Sequence, residues 1–507
     1  MRYVMGIDNG GTGTKAAIYD LNGYMVAQAR QDTCVISKRS GWCERDMEEL
    51  WEVNCNVIKE AVRLSGVCAE QIAGVSFSGH GKGLYLWGKN GKPVRNGIVS
   101  TDSRADSIVK EWDDNGTCDA VYPYINQSVL ASQPCALLRW LELNELESAE
   151  RTQWVFGVKD YVRYRMTGQA NLEMTDFSGS GLMDLTTKKL SPKVLALYGL
   201  EGWEHCFPDI IDSTMQCGSI TKEAAEATGL ACGTPVAGGL FDIDACAIAM
   251  AVTRTDQTAV IAGTWSINEY ISSSPVTDRS VKMNSLYCID NYYLVEESSP
   301  TSASNQLWFL RNFLQEAAQV NGQNLYDYAN ELVLQAPIDE ACITYLPFLY
   351  GGCDDASARA VFMGLEARHS RADVVRAIYE GVVFGHRMQI ERLKASRTDE
   401  MKQIRLAGGV VHSPIWVQMF ADALGMNVEI IETDELGALG AAMCATVAAG
   451  IYDDLVEASS QMVRVGTVYY PDWKRKSIYD QKYAQFYRIH QSMRSQWSLL
   501  HAAEGEK

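Results

Sequence analysis

Short apolar runs that end in glycine recur along this chain. The first covers 4–7 and stops at Asp8; the polar string Asn9-Gly10-Gly11-Thr12-Gly13-Thr14-Lys15 follows, and 16–19 is apolar again before Asp20. This pattern predicts a β-hairpin with a polar, glycine-rich tip. Leu50, Trp51, Val53, Val57, Ile58, Ala61 and Val62 fall at helical spacing behind early acidic residues and predict an amphipathic helix over 46–63. Residues 72–78 read as a buried strand that ends in Gly79-His80-Gly81-Lys82-Gly83, with a further strand at 84–87.

The same punctuation continues downstream. A strand at 98–100 leads to Asp102 and Arg104; 137–146 is helical in spacing, 159–164 opens an amphipathic segment, and 175–181 reads as a polar loop. A short strand from 234 runs into Gly238-Gly239-Leu240-Phe241-Asp242-Ile243-Asp244 and an alanine-rich helix over 245–252. The strand 258–262 ends in Gly263-Thr264 and returns at Ile267, which repeats the opening theme and predicts a duplicated architecture with a phosphate loop in each half. Beyond it come a strand and turn at 345–352, a long helix at 372–393, a strand from 404 that ends in Gly408-Gly409, a helix at 414–424 with proline in its first turn, a small-residue helix at 436–450, and terminal helices within 468–497.

Several of these points carry chemistry. Glycines at the first tip free backbone N–H groups for an anion, Thr12 and Thr14 add hydroxyls, and Lys15 adds charge. Asp8 would repel a phosphate unless a cation such as Mg²⁺ lay between them. Asp242 or Asp244 ahead of an apolar helix reads first as an N-cap contributing about 1 kcal/mol, but the two glycines before it permit a close backbone approach that a cap does not need. Asp102 and Arg104 form either a pair able to hold vicinal hydroxyls or an ordinary surface ion pair. His80 stands equally between a loop histidine and a ligand contact.

Composition narrows the class. At 507 residues and 47% apolar content, the chain is expected to fold into two domains with a cleft between them. A formal charge of −18 with no basic block argues against nucleic-acid binding. The 14 cysteines show no CxxC pair and no metal spacing with the 7 histidines, which is the pattern of reduced thiols in a cytoplasmic protein. Neither a signal peptide nor a membrane span is expected.

Taken as an ordered set, these motifs resemble the FGGY carbohydrate kinases over essentially the whole chain. The resemblance implies a two-domain α/β protein of the actin/hexokinase-like (ribonuclease H-like) fold with a central cleft for ATP, Mg²⁺ and a sugar. It implies a sugar-binding domain with the first phosphate loop over 1–247 and a nucleotide-binding domain over 248–507. Gly10, Gly11, Thr12, Thr14 and Lys15 fall on the family's first phosphate motif, with Asp8 in the metal-coordinating place and Asp242 on the catalytic base. Gly263 and Thr264 match the second phosphate loop, Gly351 the nucleotide-side turn, and Gly408-Gly409 the start of the adenosine motif. His80, Lys82, Asp102 and Arg104 align with sugar-side positions.

Departures bear on the substrate. Leu137 stands where family members often carry lysine, Ser100-Thr101 replaces an aromatic, and His80-Gly81-Lys82 replaces the Gln-Met-His string of D-xylulokinases. The remaining pattern, including Gly263-Thr264-Trp265 and Ser299-Pro300-Thr301-Ser302, looks most like the L-xylulose kinase branch. The implied activity is phosphorylation of a ketopentose terminal hydroxyl in a possible homodimer. Other pentuloses, erythritol, related polyols or sugar acids are alternative substrates. A catalytically inactive sugar sensor and a filament-forming actin-like ATPase are the alternatives of a different class.

Overall fold

In the computed structural model of the chain, β1 (Tyr3–Asn9) and β2 (Gly13–Asp20) form the expected hairpin, with Asp8 opposite Lys15. Residues 2–339, 342–352, 354–355, 357–433, 435–497 and 499 are described. β3 (Met25–Asp32) pairs antiparallel with β2, and α1 (Met47–Ser65) packs on both. Asp46 caps α1 by accepting from the N–H groups of Glu48 and Glu49.

β4 (Ile72–Gly79) runs parallel to β1. The chain then passes through α2 (Val158–Thr167) and α3 (Met174–Ser178) and rejoins the sheet through β5 (Gln216–Ser219), β6 (Pro235–Ala237) and the two-residue β7 (Leu240–Phe241), which leads into α4 (Asp242–Ala249). The order is β5-β6-β4-β1-β2-β3, with β7 paired in parallel to the end of β4. α3 departs from the loop expected at 175–181: Glu173 accepts from the N–H groups of Thr175 and Asp176, and this cap turns the polar string into a helical start.

A second sheet holds, in order, an edge strand at Met283–Leu286, β10 (Tyr293–Ser299), β9 (Ser266–Ser272), β8 (Gln257–Ala262), β11 (Gln403–Ala407), β12 (Asn427–Ile431) and, later in the chain, β13 (Val465–Tyr469). β8 and β9 are antiparallel, and β8 is parallel to β11. This repeats the β1–β2 hairpin and its parallel neighbour β4, so the duplication expected from the two Gly-Thr tips is present in the topology. α5 (Arg371–Ala395) and α6 (Pro414–Leu424) belong to the same unit.

The two compact units are discontinuous. One comprises Met1–Thr253, Ile271–Val295 and Glu435–Val463; the other comprises Arg254–Tyr270, Glu296–Asp434 and Arg464–Lys507. This differs from a single division at 247/248 because α7 (Leu436–Ala448) returns to the first sheet, where it packs on β1, β4 and α4. A Cβ on Gly6 would lie 1.8 Å from the carbonyl oxygen of Ala438, so only glycine permits that approach. Alternation along β1 sends Met5 and Ile7 into the core shared with Leu50, Val53 and Val57 of α1. It leaves Gly6 and Asp8 facing α7. Among the described residues, no helix is long and apolar enough to cross a membrane, and the described cysteines are unpaired.

Candidate active site

Three parallel strands of the first unit end in register. Asp8, Ser78 and Leu240 lie in one row across β1, β4 and β7; Asn9, Gly79 and Phe241 form the next. The residues immediately beyond are Gly10, His80 and Asp242, so the phosphate-type turn, the His80–Gly83 loop and the start of α4 emerge side by side. Two strand spacings, about 10 Å, separate the first from the third. Carboxyl ends of parallel strands are the common ligand edge of α/β sheets.

Each predicted residue has a defined setting. Asp8 accepts from the hydroxyl of Ser78 at 2.8 Å and lies against Gly437, where a Cβ would be 2.8 Å from the carboxyl carbon. Burial raises its pKa above the ordinary value, while Ser78 and Lys15 pull it back. Lys15 is ion-paired at 2.7 Å to Glu435, just ahead of α7, and Thr14 is buried and donates to Asn9 at 3.3 Å. The Gly10 N–H closes the turn onto Gly13 O, whereas among the described residues the N–H groups of Gly11 and Thr12 have no protein acceptor. The hairpin tip therefore retains two backbone donors of the kind that can bind an anion.

Asp242 is the first residue of α4, behind Phe241 at the cap position, and is half-buried. Asp244 is fully buried, accepts from the Cys288 N–H at 3.1 Å, and is driven upward in pKa by that burial. Phe241 rather than either acid occupies the cap position, so the N-cap reading of this string does not hold.

Of the residues expected on the sugar side, His80 is buried, with Nδ1 at 3.2 Å from Gly81 O and Nε2 at 3.0 Å from the Tyr85 hydroxyl. A carbonyl only accepts, so Nδ1 carries the proton and Nε2 accepts from Tyr85. Burial, helped by the neighbouring Arg45 charge, lowers the His80 pKa to about 3. Lys82 adopts the left-handed conformation at φ 62° and is half-buried beside Gly83 and Pro134. Asp102 and Arg104 form a buried pair: Arg104 donates from Nε and Nη2 to Asp102 at 2.9 and 2.8 Å and reaches Glu44 at 2.9 Å. Its guanidinium lies 4.1 Å from the Trp42 ring and 5.1 Å from that of Trp140, which removes the surface-ion-pair reading. Nη1 of Arg104 has no partner among the described residues.

The second unit gathers the residues expected on the nucleotide side. A cavity of about 910 Å³ is lined by Gly263, Thr264, Ser304, Tyr350, Gly409 and Trp416, among others. Gly408 has φ 93°, and a Cβ there would meet Ala262 O at 2.5 Å, so this glycine lets the 408–409 turn lie flush on the Gly263 loop. Gly351, at φ 99°, follows the lining residue Tyr350. Ser304 donates to Thr264 O at 3.0 Å. Behind this loop, buried His386 contacts Ser302 Oγ at 2.8 Å and Asn268 Oδ1 at 2.9 Å, and burial lowers its pKa to about 3.

Residues 3–249 match the N-terminal domain of the FGGY family of carbohydrate kinases, and 258–449 match its C-terminal domain. The chain belongs to this family. This FGGY protein is a sugar kinase, which transfers phosphate from ATP to an alcohol group. It is 34% identical over 490 residues to the L-xylulose/3-keto-L-gulonate kinase of Escherichia coli K12, covering 96% of each chain. It is also 34% identical over 478 residues to a probable L-xylulose kinase of Pasteurella multocida, covering 94% of this chain and 97% of the other. The solved xylulose kinase of Lactobacillus acidophilus superposes with a TM-score of 0.90 at 24% identity, over 99% of this chain and all of that one. That last likeness concerns the fold.

Arg45, beside the first phosphate-type turn, has no clear signal in the sequence. Arg45 is fully buried and donates to Gly11 O at 2.7 Å and toward Gly10 O at 3.4 Å, bracing the first phosphate turn from behind. Its only sequence signal is the Glu44-Arg45-Asp46 string before α1, and the acceptors are carbonyls more than 30 positions away.

Proposed function

We propose that this kinase phosphorylates the terminal hydroxyl of a ketopentose, with L-xylulose as substrate and L-xylulose 5-phosphate as product. The observation that carries the reading is the shared strand edge, where Asp8 and the Gly11–Thr12 turn at the end of β1 and Asp242 just beyond β7 flank the end of β4. The names of the 34%-identical relatives favour L-xylulose, and the name of the first adds 3-keto-L-gulonate as a second candidate.

In the proposed reaction, Asp242 accepts the proton of the sugar hydroxyl as that oxygen bonds to the γ-phosphorus, and ADP leaves with the electrons of the broken phosphoanhydride bond. The Gly11 and Thr12 N–H groups are proposed to receive charge on phosphoryl oxygens. Gly263 and Thr264 are proposed as a second phosphate-binding pair. The buried pair of Asp102 and Arg104 is proposed to belong to the sugar side. His80 holds the loop in place through Tyr85.

The donor set at Asp8 fits Mg²⁺. Among the described residues, no group of three or more His, Cys, Asp or Glu side chains could cage a metal ion. A single hard carboxylate is what Mg²⁺ takes when phosphates and water complete its octahedron. Asp8 would hold the ion, which would neutralise phosphate charge.

The test is a coupled ADP-release assay across L-xylulose, other pentuloses, pentitols, 3-keto-L-gulonate, erythritol and glycerol. The highest kcat/KM on L-xylulose supports the proposal. A clear preference for another acceptor reassigns the substrate, and ADP release that no acceptor stimulates removes it.

A further inference from the structure

Behind Asp242 lies a buried polar cluster that the sequence reading left without a role. Lys159, Asp160 and Arg163 come from α2; Glu173 caps α3; Asp176 lies within it. The ammonium of Lys159 is 3.3 Å from Asp160, 3.3 Å from Glu173 and 3.1 Å from Asp176, and all five residues are buried. Burial pushes the Asp176 carboxyl up to about 7 against the pull of Lys159. Buried ion clusters are weak contributors to stability, because desolvation offsets their attraction and apolar side chains of equal volume often do better. The geometry of the cluster points to another use.

The segment 238–241 that delivers Asp242 is held at nearly every peptide. Arg163 donates to the Gly238 carbonyl, Gly239 N–H donates to Ser213 O at 2.9 Å, and Phe241 N–H donates to the Thr175 hydroxyl at 2.9 Å. The hydroxyl's own proton goes to Glu173 Oε2 at 2.8 Å. Glu173 also accepts from Ser213 Oγ at 2.7 Å and from the Thr175 N–H at 2.9 Å. A carboxylate can only accept, so the Thr175 proton is committed to Glu173 and its lone pair must face Phe241. The result is a one-way relay from the backbone N–H before Asp242, through Thr175, to a carboxylate neutralised by Lys159. The Phe241 ring is seated over Gly81, where a Cβ would lie 2.3 Å from it. β7 is only two residues long, so its ladder alone would leave Asp242 on a short tether.

We propose that Thr175 and Glu173 are positioning residues that fix the backbone N-terminal to Asp242 and thereby aim its carboxylate at the sugar hydroxyl. This rests on the reading of Asp242 as the base. Misplacing a reacting group by about 1 Å costs up to ~10²-fold in rate. Thr175→Val keeps the volume and removes the relay, and Thr175→Ser retains the hydroxyl.

Steady-state kinetics on the full chain provide the test. Thr175→Val is expected to lower kcat ~10-fold or more with sugar KM changed less than ~3-fold, and Thr175→Ser to restore most of kcat. In the Asp242→Asn background, Thr175→Val should produce little further loss, since there is no base left to aim. A wild-type kcat in Thr175→Val, or equal losses in both backgrounds, overturns the positioning role. A wild-type kcat in Asp242→Asn overturns the underlying reading instead. If Thr175→Val does not fold, Ser213→Ala removes only the hydroxyl that holds the far Glu173 oxygen, and an unchanged kcat there would likewise count against the relay.

Discussion

The Ser78 hydroxyl lies 2.8 Å from Asp8 Oδ1 and 3.1 Å from the carbonyl of Gly437, so one proton stands between a carboxylate of β1 and the first turn of α7. The register makes this contact possible by placing Asp8 and Ser78 side by side. The serine fixes the direction in which the carboxylate points. A hydrogen bond to a charged group contributes about 1.5–3 kcal/mol. Ser78→Ala is therefore expected to raise the half-saturating Mg²⁺ concentration roughly tenfold while sugar KM stays near its original value. A Mg²⁺ titration of initial rates at saturating sugar checks this, and an unchanged Mg²⁺ dependence would show that Ser78 does not govern Asp8.

Gly408 makes a separate prediction for the nucleotide cavity. An added Cβ would meet Ala262 O at 2.5 Å in a backbone at φ 93° that side chains avoid. Such strain costs of order 1–3 kcal/mol, so Gly408→Ala should displace the Gly263 loop and raise the KM for ATP about tenfold or more. The KM for sugar should remain within about twofold. Parallel initial-rate series in each substrate distinguish this from a general loss of folded enzyme.

His386 carries a pH signature. Its pKa falls from 6.5 to about 3 on folding because burial disfavours the charged ring. Below pH 6.5 the unfolded chain binds a proton that the native chain refuses, so this residue's contribution to stability is lost progressively as pH drops from 6.5 toward 3. At pH 5 the loss is about 2 kcal/mol. His386→Gln keeps a neutral polar side chain, and its stability should fall between pH 7 and pH 5 by about 2 kcal/mol less than that of the parent. Denaturant titrations at the two pH values measure the difference. Equal losses would place the proton elsewhere.

Strand ends and turns were legible in the sequence because apolar runs stopping at glycine state both where a strand ends and where a ligand can approach. Hence both hairpins, the 408–409 turn and the start of α4 fell close to their expected places. The interleaving of the units was not legible, since the small-residue pattern of α7 says that something packs closely but not that Gly6 and Gly74 of the first sheet are what it meets. Asp102 and Arg104 read as readily as a surface pair, because Trp42 and Trp140, which cover the guanidinium, lie 62 and 36 positions away from it. Arg45, Glu173 and Thr175 were missed for a related reason: each acts on backbone atoms contributed by distant residues, and a backbone acceptor leaves no mark in a sequence.

Asp242 bears the central claim. Asp242→Asn preserves shape and removes the capacity to take a proton. Its rate of sugar-dependent ADP release should fall by ~10²-fold or more, while the dissociation constant for L-xylulose, measured by calorimetry on the same preparation, stays within a few-fold of the parent. A variant that binds the sugar and turns it over at near the parent rate would contradict the account.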